Sequence, residues 1–143
     1  MEFLTLLFNL TLTALVLHMS WFFWDKTRVK RIFVVEDSES DQMLLKINLN
    51  IENCIIEYFE SSEGIIGEFW KRKPDAVIID YNLAGRTKGD ELLKFCDNNC
   101  IPALLVTGQE GDILGVDNSR VLVKSADKAY YTKLETWANE VIA

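Results

Sequence analysis

Four short apolar runs in this chain each end on polar side chains with chemical capacity. Ile32-Phe33-Val34-Val35 is followed by Glu36 and Asp37, and Ala76-Val77-Ile78-Ile79 by Asp80. Ala103-Leu104-Leu105-Val106 is followed by Thr107, and Val121-Leu122-Val123 by Lys124. Taken singly, each has an ordinary reading, because an Asp after a strand is most often a turn former or a helix cap. The signal lies in four run ends carrying this set in this order. Three carboxylates brought together repel one another, and a hard divalent cation relieves that repulsion. Oxygen-only ligands favour Mg²⁺ over zinc or copper. Lys124 offers a point charge suited to a phosphoryl oxygen, and Thr107 offers a hydroxyl donor. A carboxylate beside a metal and a lysine can act as a nucleophile toward phosphorus, giving an aspartyl phosphate.

That chemistry requires the run ends to meet, so the elements between them matter. The apolar runs are short and rich in β-branched residues, as in strands buried on both faces. Between them lie helix signals. Ser38 opens a helix, with Asp41 three residues on as in a capping box and Met43, Leu44, Ile47 and Ile51 as its apolar stripe. Cys54 to Phe59 reads as a second strand, and Ser61 or Ser62 caps a helix that buries Ile65, Ile66, Phe69 and Trp70. Glu91 to Cys96 reads as a third helix, with Leu92, Leu93 and Cys96 inward. The last helix shows Tyr130, Tyr131, Leu134, Trp137, Ala138 and Val141 at helical spacing. Strands alternating with helices give right-handed crossovers and a parallel sheet covered on both faces. The fold class is therefore α/β, a flavodoxin-like doubly wound five-stranded parallel sheet of order 2-1-3-4-5. In such sheets the site lies beyond the carboxyl ends of the strands, which is where all these polar residues fall.

With 143 residues, the chain has room for one domain. From Ile32 onward there are 11 Lys and Arg against 20 Asp and Glu, the opposite of the basic stripes that nucleic-acid binding needs. The three cysteines, Cys54, Cys96 and Cys100, are too few and too odd in number for a disulfide framework. The only histidine, His18, is remote from them, so a zinc site lacks ligands. They are expected to be reduced, packed thiols. Residues 3–24 are almost continuously apolar, end in Trp21 and Trp24, and are followed by Lys26, Arg28, Lys30 and Arg31. Length and flanking charge predict a transmembrane helix that leaves the rest of the chain in the cytoplasm. The alternative is a soluble cytoplasmic protein whose true start is Met19. The expected division is an apolar leader over residues 1–27 and a folded domain over 28–143.

From Arg31 to Ala143 the chain resembles the receiver domain of two-component response regulators. The segments that carry the resemblance run from Arg31 to Asp37, Pro74 to Leu83, Ile101 to Gly108 and Val121 to Lys124. The resemblance implies that Glu36 and Asp37 form the acidic pair for Mg²⁺ and that Asp80 is the phosphoacceptor and a metal ligand. It implies that Asn82 binds the metal through its backbone carbonyl, that Thr107 is the switch hydroxyl, and that Lys124 binds phosphate. It further implies a phosphoryl donor, a histidine kinase or phosphotransfer protein. Several positions depart from the family pattern. Ser125 replaces the usual proline after the lysine, so the Lys124–Ser125 bond is expected to be trans or strained. Val121 stands where the family has an aromatic switch residue, and Ala84 replaces a proline. The loop to Gly89 is one residue longer, and the stretch from Thr107 to Lys124 is short, predicting a reduced fourth helix.

Three functions compete. The first is a single-domain response regulator, a phosphoacceptor that catalyses its own phosphorylation and dephosphorylation rather than an enzyme acting on a separate substrate. The second is a receiver-like interaction module that works without phosphorylation. The third is a Mg²⁺-dependent phosphatase with an aspartyl nucleophile. Such enzymes usually carry a second acid where this chain has Asn82, which ranks that reading last.

Overall fold

The computed structural model describes residues 2–109, 113 and 115–143, with side chains described outside residues 2–4, 21, 22 and 24–27. A helix, α1 (Glu2–Thr27), leads into an alternating series: β1 (Lys30–Val35), α2 (Glu39–Asn48), β2 (Cys54–Phe59), α3 (Ser62–Phe69), β3 (Ala76–Asp80), α4 (Gly89–Asn98), β4 (Ala103–Thr107), β5 (Val121–Val123) and α5 (Lys128–Ile142). The strands form one parallel sheet of order β2-β1-β3-β4-β5, the flavodoxin-like arrangement expected from the sequence.

Strand alternation divides the core into two layers. Ile32, Val34, Ala76, Ile78, Leu104 and Val106 point to the face covered by α2 and α5. Phe33, Val35, Val77, Ile79, Ala103 and Leu105 point to the face covered by α3 and α4. Every residue of β3 and β4 is buried, which is why these runs carry no polar residue until their last position.

Two helices turn differently from the sequence expectation. In α2 the inward residues are Gln42 and Leu45, whereas Met43, Leu44 and Ile47 of the expected stripe are exposed. The Gln42 amide donates to the Glu36 carbonyl at 2.7 Å, on the same face that buries Leu45. In α3, Ile65 and Phe69 are buried as expected, but Trp70 lies past the helix end and is 72% exposed. Ser61 caps that helix. Cys96 is buried in α4, while Cys100 is exposed beyond its end, so only one of that pair is a packed thiol.

Helix α1 holds Leu6, Leu7, Phe8, Leu10, Leu12, Leu15, Val16 and Leu17 exposed on all sides. Its Thr11, Thr13 and Ser20 hydroxyls donate to carbonyls one turn back. The predicted membrane span is not upheld. Among the described residues no helix is long and apolar enough to cross a membrane. The expected ends of that span, Phe3, Trp21 and Trp24, have side chains outside the described set.

Between β4 and β5 the described residues form only one 3-10 turn, Asn118–Arg120. Residues 110–112 and 114, within the stretch where a reduced helix is expected, lie outside the description. No peptide bond among the described residues is cis, so Lys124–Ser125 is trans.

Candidate functional site at the carboxyl edge of the sheet

The sheet ladder sets the backbone of each site residue. Glu36 N–H donates to Phe59 O at 3.0 Å, Tyr81 N–H to Val106 O at 2.8 Å, and Lys124 N–H to Thr107 O at 2.7 Å. Val35 pairs with Ile79 in the β1–β3 register, so Glu36 and Asp80 are the next residues on neighbouring strands. Two-residue alternation puts both on the same side as Ile78 and Val34. The sequence leaves no choice in this. A one-residue slip would exchange the residues of the two core layers and carry Glu36 and Asp80 to opposite faces.

Glu36 and Asp80 are buried, at 1% and 3% exposure. Together with Asp37 they present one carboxylate oxygen each, and these three lie within 4.8 Å of one another. Lys124 reaches into this group. Its ammonium donates to Glu36 Oε2 at 2.6 Å and to Asp41 Oδ2 at 3.1 Å, and lies 3.1 Å from Asp80 Oδ1. The last contact is an ion pair without hydrogen-bond geometry, and Asp80 Oδ1 accepts no hydrogen bond among the described residues. That oxygen has ionic contact with the ammonium but no hydrogen bond, so it keeps lone pairs with which to ligate a metal ion. The donor set, all oxygen and rich in charge, fits a hard divalent ion.

Burial raises the pKa of Glu36, and the Asp80 charge raises it further, against the opposing pull of Lys124. Burial pushes Lys124 the other way, but Glu36 and Asp80 outweigh it, so its ammonium is held above the ordinary lysine range. The lysine is therefore a fixed cation at any physiological pH.

The remaining predicted residues occupy the same edge. Asp37 sits at the rim, where its Oδ2 accepts from the Ala84 N–H at 2.7 Å. Asn82 lies in the turn directly after Asp80 with an exposed side chain. Thr107 ends β4, 1% exposed, and its Oγ1 accepts from the Gln109 N–H at 3.2 Å, leaving its own proton for another acceptor. Val121 is half-buried and packs against the core layer beneath α3 and α4. A cavity of about 210 Å³ opens beside the carboxylates, lined by Asp41, Leu44, Lys124, Ser125 and Tyr130 among others.

Two residues matter here that the sequence marks only as punctuation. Gly89 opens α4 against the end of β3. A Cβ there would lie 2.4 Å from the Asp80 carbonyl oxygen and 2.7 Å from Tyr81 Cα, so only glycine fits. Asp41 is expected from its spacing to complete a capping box on Ser38. Ser38 Oγ does accept from the Asp41 N–H, but the Ser38 N–H donates to Glu36 Oε1 instead, and the Asp41 carboxylate goes to Lys124. Helix α2 begins three residues after Glu36, so Asp41, in its first turn, is bound to lie near the sheet edge.

No protein-family model matches the chain, and no curated protein matches it. Solved structures do. The chain is similar to the signal receiver domain of a putative Luxo repressor protein from Vibrio parahaemolyticus. That match has 24% identity and a TM-score of 0.66, over 79% of this chain and 89% of that one. It is equally similar to the response regulator TrrA of Thermotoga maritima in complex with Mg²⁺-BeF, at 24% identity and a TM-score of 0.65, over 78% of this chain and 98% of that one. The chain has the fold of response-regulator receiver domains. A further receiver structure of this fold is TrrA bound to the histidine kinase ThkA, which matches 80% of this chain at 24% identity and a TM-score of 0.65. In the receiver fold the carboxyl edge just described is the edge that holds Glu36, Asp37, Asp80, Thr107 and Lys124 together.

Proposed function

We propose that this protein is a response regulator that accepts a phosphoryl group on Asp80. The observation that carries the reading is the buried Asp80 carboxylate, 3.1 Å from the Lys124 ammonium and grouped with Glu36 and Asp37. An Asp80 carboxylate oxygen attacks phosphorus, the bond from phosphorus to the donor's leaving atom breaks, and the leaving group takes up a proton. Glu36, Asp37 and Asp80, with the Asn82 carbonyl, are the residues that would hold Mg²⁺, which supplies charge neutralisation at the transferring group. Lys124 supplies a fixed positive charge for one phosphoryl oxygen, and the Thr107 hydroxyl a proton for another. The domain comprises residues 28–143, and its phosphoryl donor is a histidine kinase or phosphotransfer protein in the cytoplasm. On this reading the chain acts only on its own aspartate and is no enzyme toward a separate substrate.

The test is incubation with acetyl phosphate or phosphoramidate and Mg²⁺, followed by intact mass. One phosphoryl mass should appear, labile to hydroxylamine, and should be absent with EDTA. Persistence of the adduct in Asp80→Asn would remove Asp80 from the role. A second reading, an interaction module that does not use phosphorylation, is favoured by Val121 at the switch position and by the single 3-10 turn described between β4 and β5. No adduct under any condition is the result it expects.

A further inference from the structure

We propose that Asp41 is a positioning residue that competes with an incoming phosphoryl group for Lys124. This rests on the reading of Asp80 as phosphoacceptor. Lys124 carries three N–H donors, and three carboxylates surround it: Glu36 at 2.6 Å, Asp41 at 3.1 Å and Asp80 at 3.1 Å. Two of these belong to the group of oxygens suited to a divalent cation, and Asp41 does not. Once a cation draws on Glu36 and Asp80, Asp41 is the one neighbour of the three whose charge stays wholly on the lysine. The local wiring releases it for this purpose. In a capping box the third helical residue would reach back to the Ser38 N–H. Here Glu36 Oε1 takes that N–H at 3.2 Å, so the Asp41 carboxylate is free to turn toward Lys124.

Asp41 is also placed to move. Its side chain is 41% exposed and lines the cavity beside the site, while Glu36 and Asp80 are locked in the buried edge. A negative group held on the lysine opposes the arrival of a second one. Asp41 therefore weakens the hold of Lys124 on a phosphoryl group and shortens the life of the phosphorylated state.

The test uses beryllofluoride, a phosphoryl mimic, titrated calorimetrically into the full-length protein in saturating Mg²⁺. Asp41→Asn and Asp41→Ala should bind it about fivefold more tightly than wild type, the scale of a half-exposed ion pair. Asp41→Glu should restore wild-type affinity. Affinity for Mg²⁺ alone, measured in parallel, should change less than the affinity for beryllofluoride. General damage to the helix would not give this split, since it would weaken both. Equal or weaker beryllofluoride binding by Asp41→Asn, with wild type binding normally, overturns the role of Asp41 alone. Failure of wild type to bind beryllofluoride overturns the phosphoacceptor reading and this inference with it.

Discussion

Lys124 Nζ and Glu36 Oε2 lie 2.6 Å apart although β3 and β4 stand between their strands in the sheet. The lysine spans that gap because Asp80, on the strand next to β1, gives it a second anchor 3.1 Å away. Loss of the lysine should therefore be felt in stability before it is felt in chemistry. Lys124→Ala leaves Glu36, whose side chain is 2% exposed, with no cation beside it among the described residues. Breaking a buried pair from one side costs about 3 kcal/mol. Urea unfolding of the metal-free protein should show that loss, and Glu36→Gln in the same background should recover most of it. No recovery would mean that the lysine acts through its packing instead.

Mg²⁺ should stabilise the protein through Asp37. A ligand at 100 times its Kd adds about 2.7 kcal/mol to stability. Thermal melts with Mg²⁺ and with EDTA should differ in wild type and coincide in Asp37→Ala. A preserved Mg²⁺ effect in that variant would place the metal elsewhere. The same substitution removes the acceptor for the Ala84 N–H, so some loss of stability without metal is also expected.

Gly89→Ala should injure the site from behind. The new methyl would meet the Asp80 carbonyl oxygen at 2.4 Å, and backbone is the atom least able to give way. A loss of about 2–3 kcal/mol is expected from overpacking, with slower phosphorylation of Asp80 because its strand end must shift. Denaturant titration reads the first effect and timed intact mass the second. Wild-type values for both would show that α4 can slide away from β3 at little cost.

The fold and the site differ in how much of them the sequence discloses. The strands are legible because β1, β3 and β4 are buried on both faces. An uninterrupted apolar run that stops on Glu36, Asp80 or Thr107 fits a central parallel strand and little else. The helix faces are less so. Met43, Leu44 and Ile47 have the spacing of a core stripe, yet Leu45 is turned inward in their place, beside Gln42 bonded to the Glu36 carbonyl. No apolar pattern encodes such a contact. Gly89 and Asp41 escape notice for a related reason. Their importance comes from what approaches them across the sheet edge, and neighbours distant in sequence leave no local trace.

The cysteines offer a prediction with a defined sign. Burial pushes the Cys96 thiol up to about 12, with the Asp97 charge adding to it. An acid whose pKa is raised by folding contributes stability that is fully present below its ordinary value, near 9, and is lost as pH climbs toward 12. Stability measured by urea should decline between pH 9 and 11, and more shallowly in Cys96→Ala, whatever that variant loses at neutral pH. At pH 8 a maleimide should modify exposed Cys100 and spare Cys96. Rapid labelling of Cys96 in the folded protein would show that the α4 layer opens.

A parallel sheet leaves its two outer strands without a partner, and here they are β2 and β5. β5 has three residues, too few to template another chain. β2 has six residues, with Ile55 45% exposed, and is the greater hazard. Glu57 stands in the middle of it, ion-paired to Arg31 on β1 and to Arg72. A second copy that paired along β2 would have to strip water from that charged trio, a steep barrier to edge-to-edge stacking. The three charges thus act as a solubility device, independent of anything that happens at Asp80, and a Glu57→Val chain should be the one that forms aggregates as it folds.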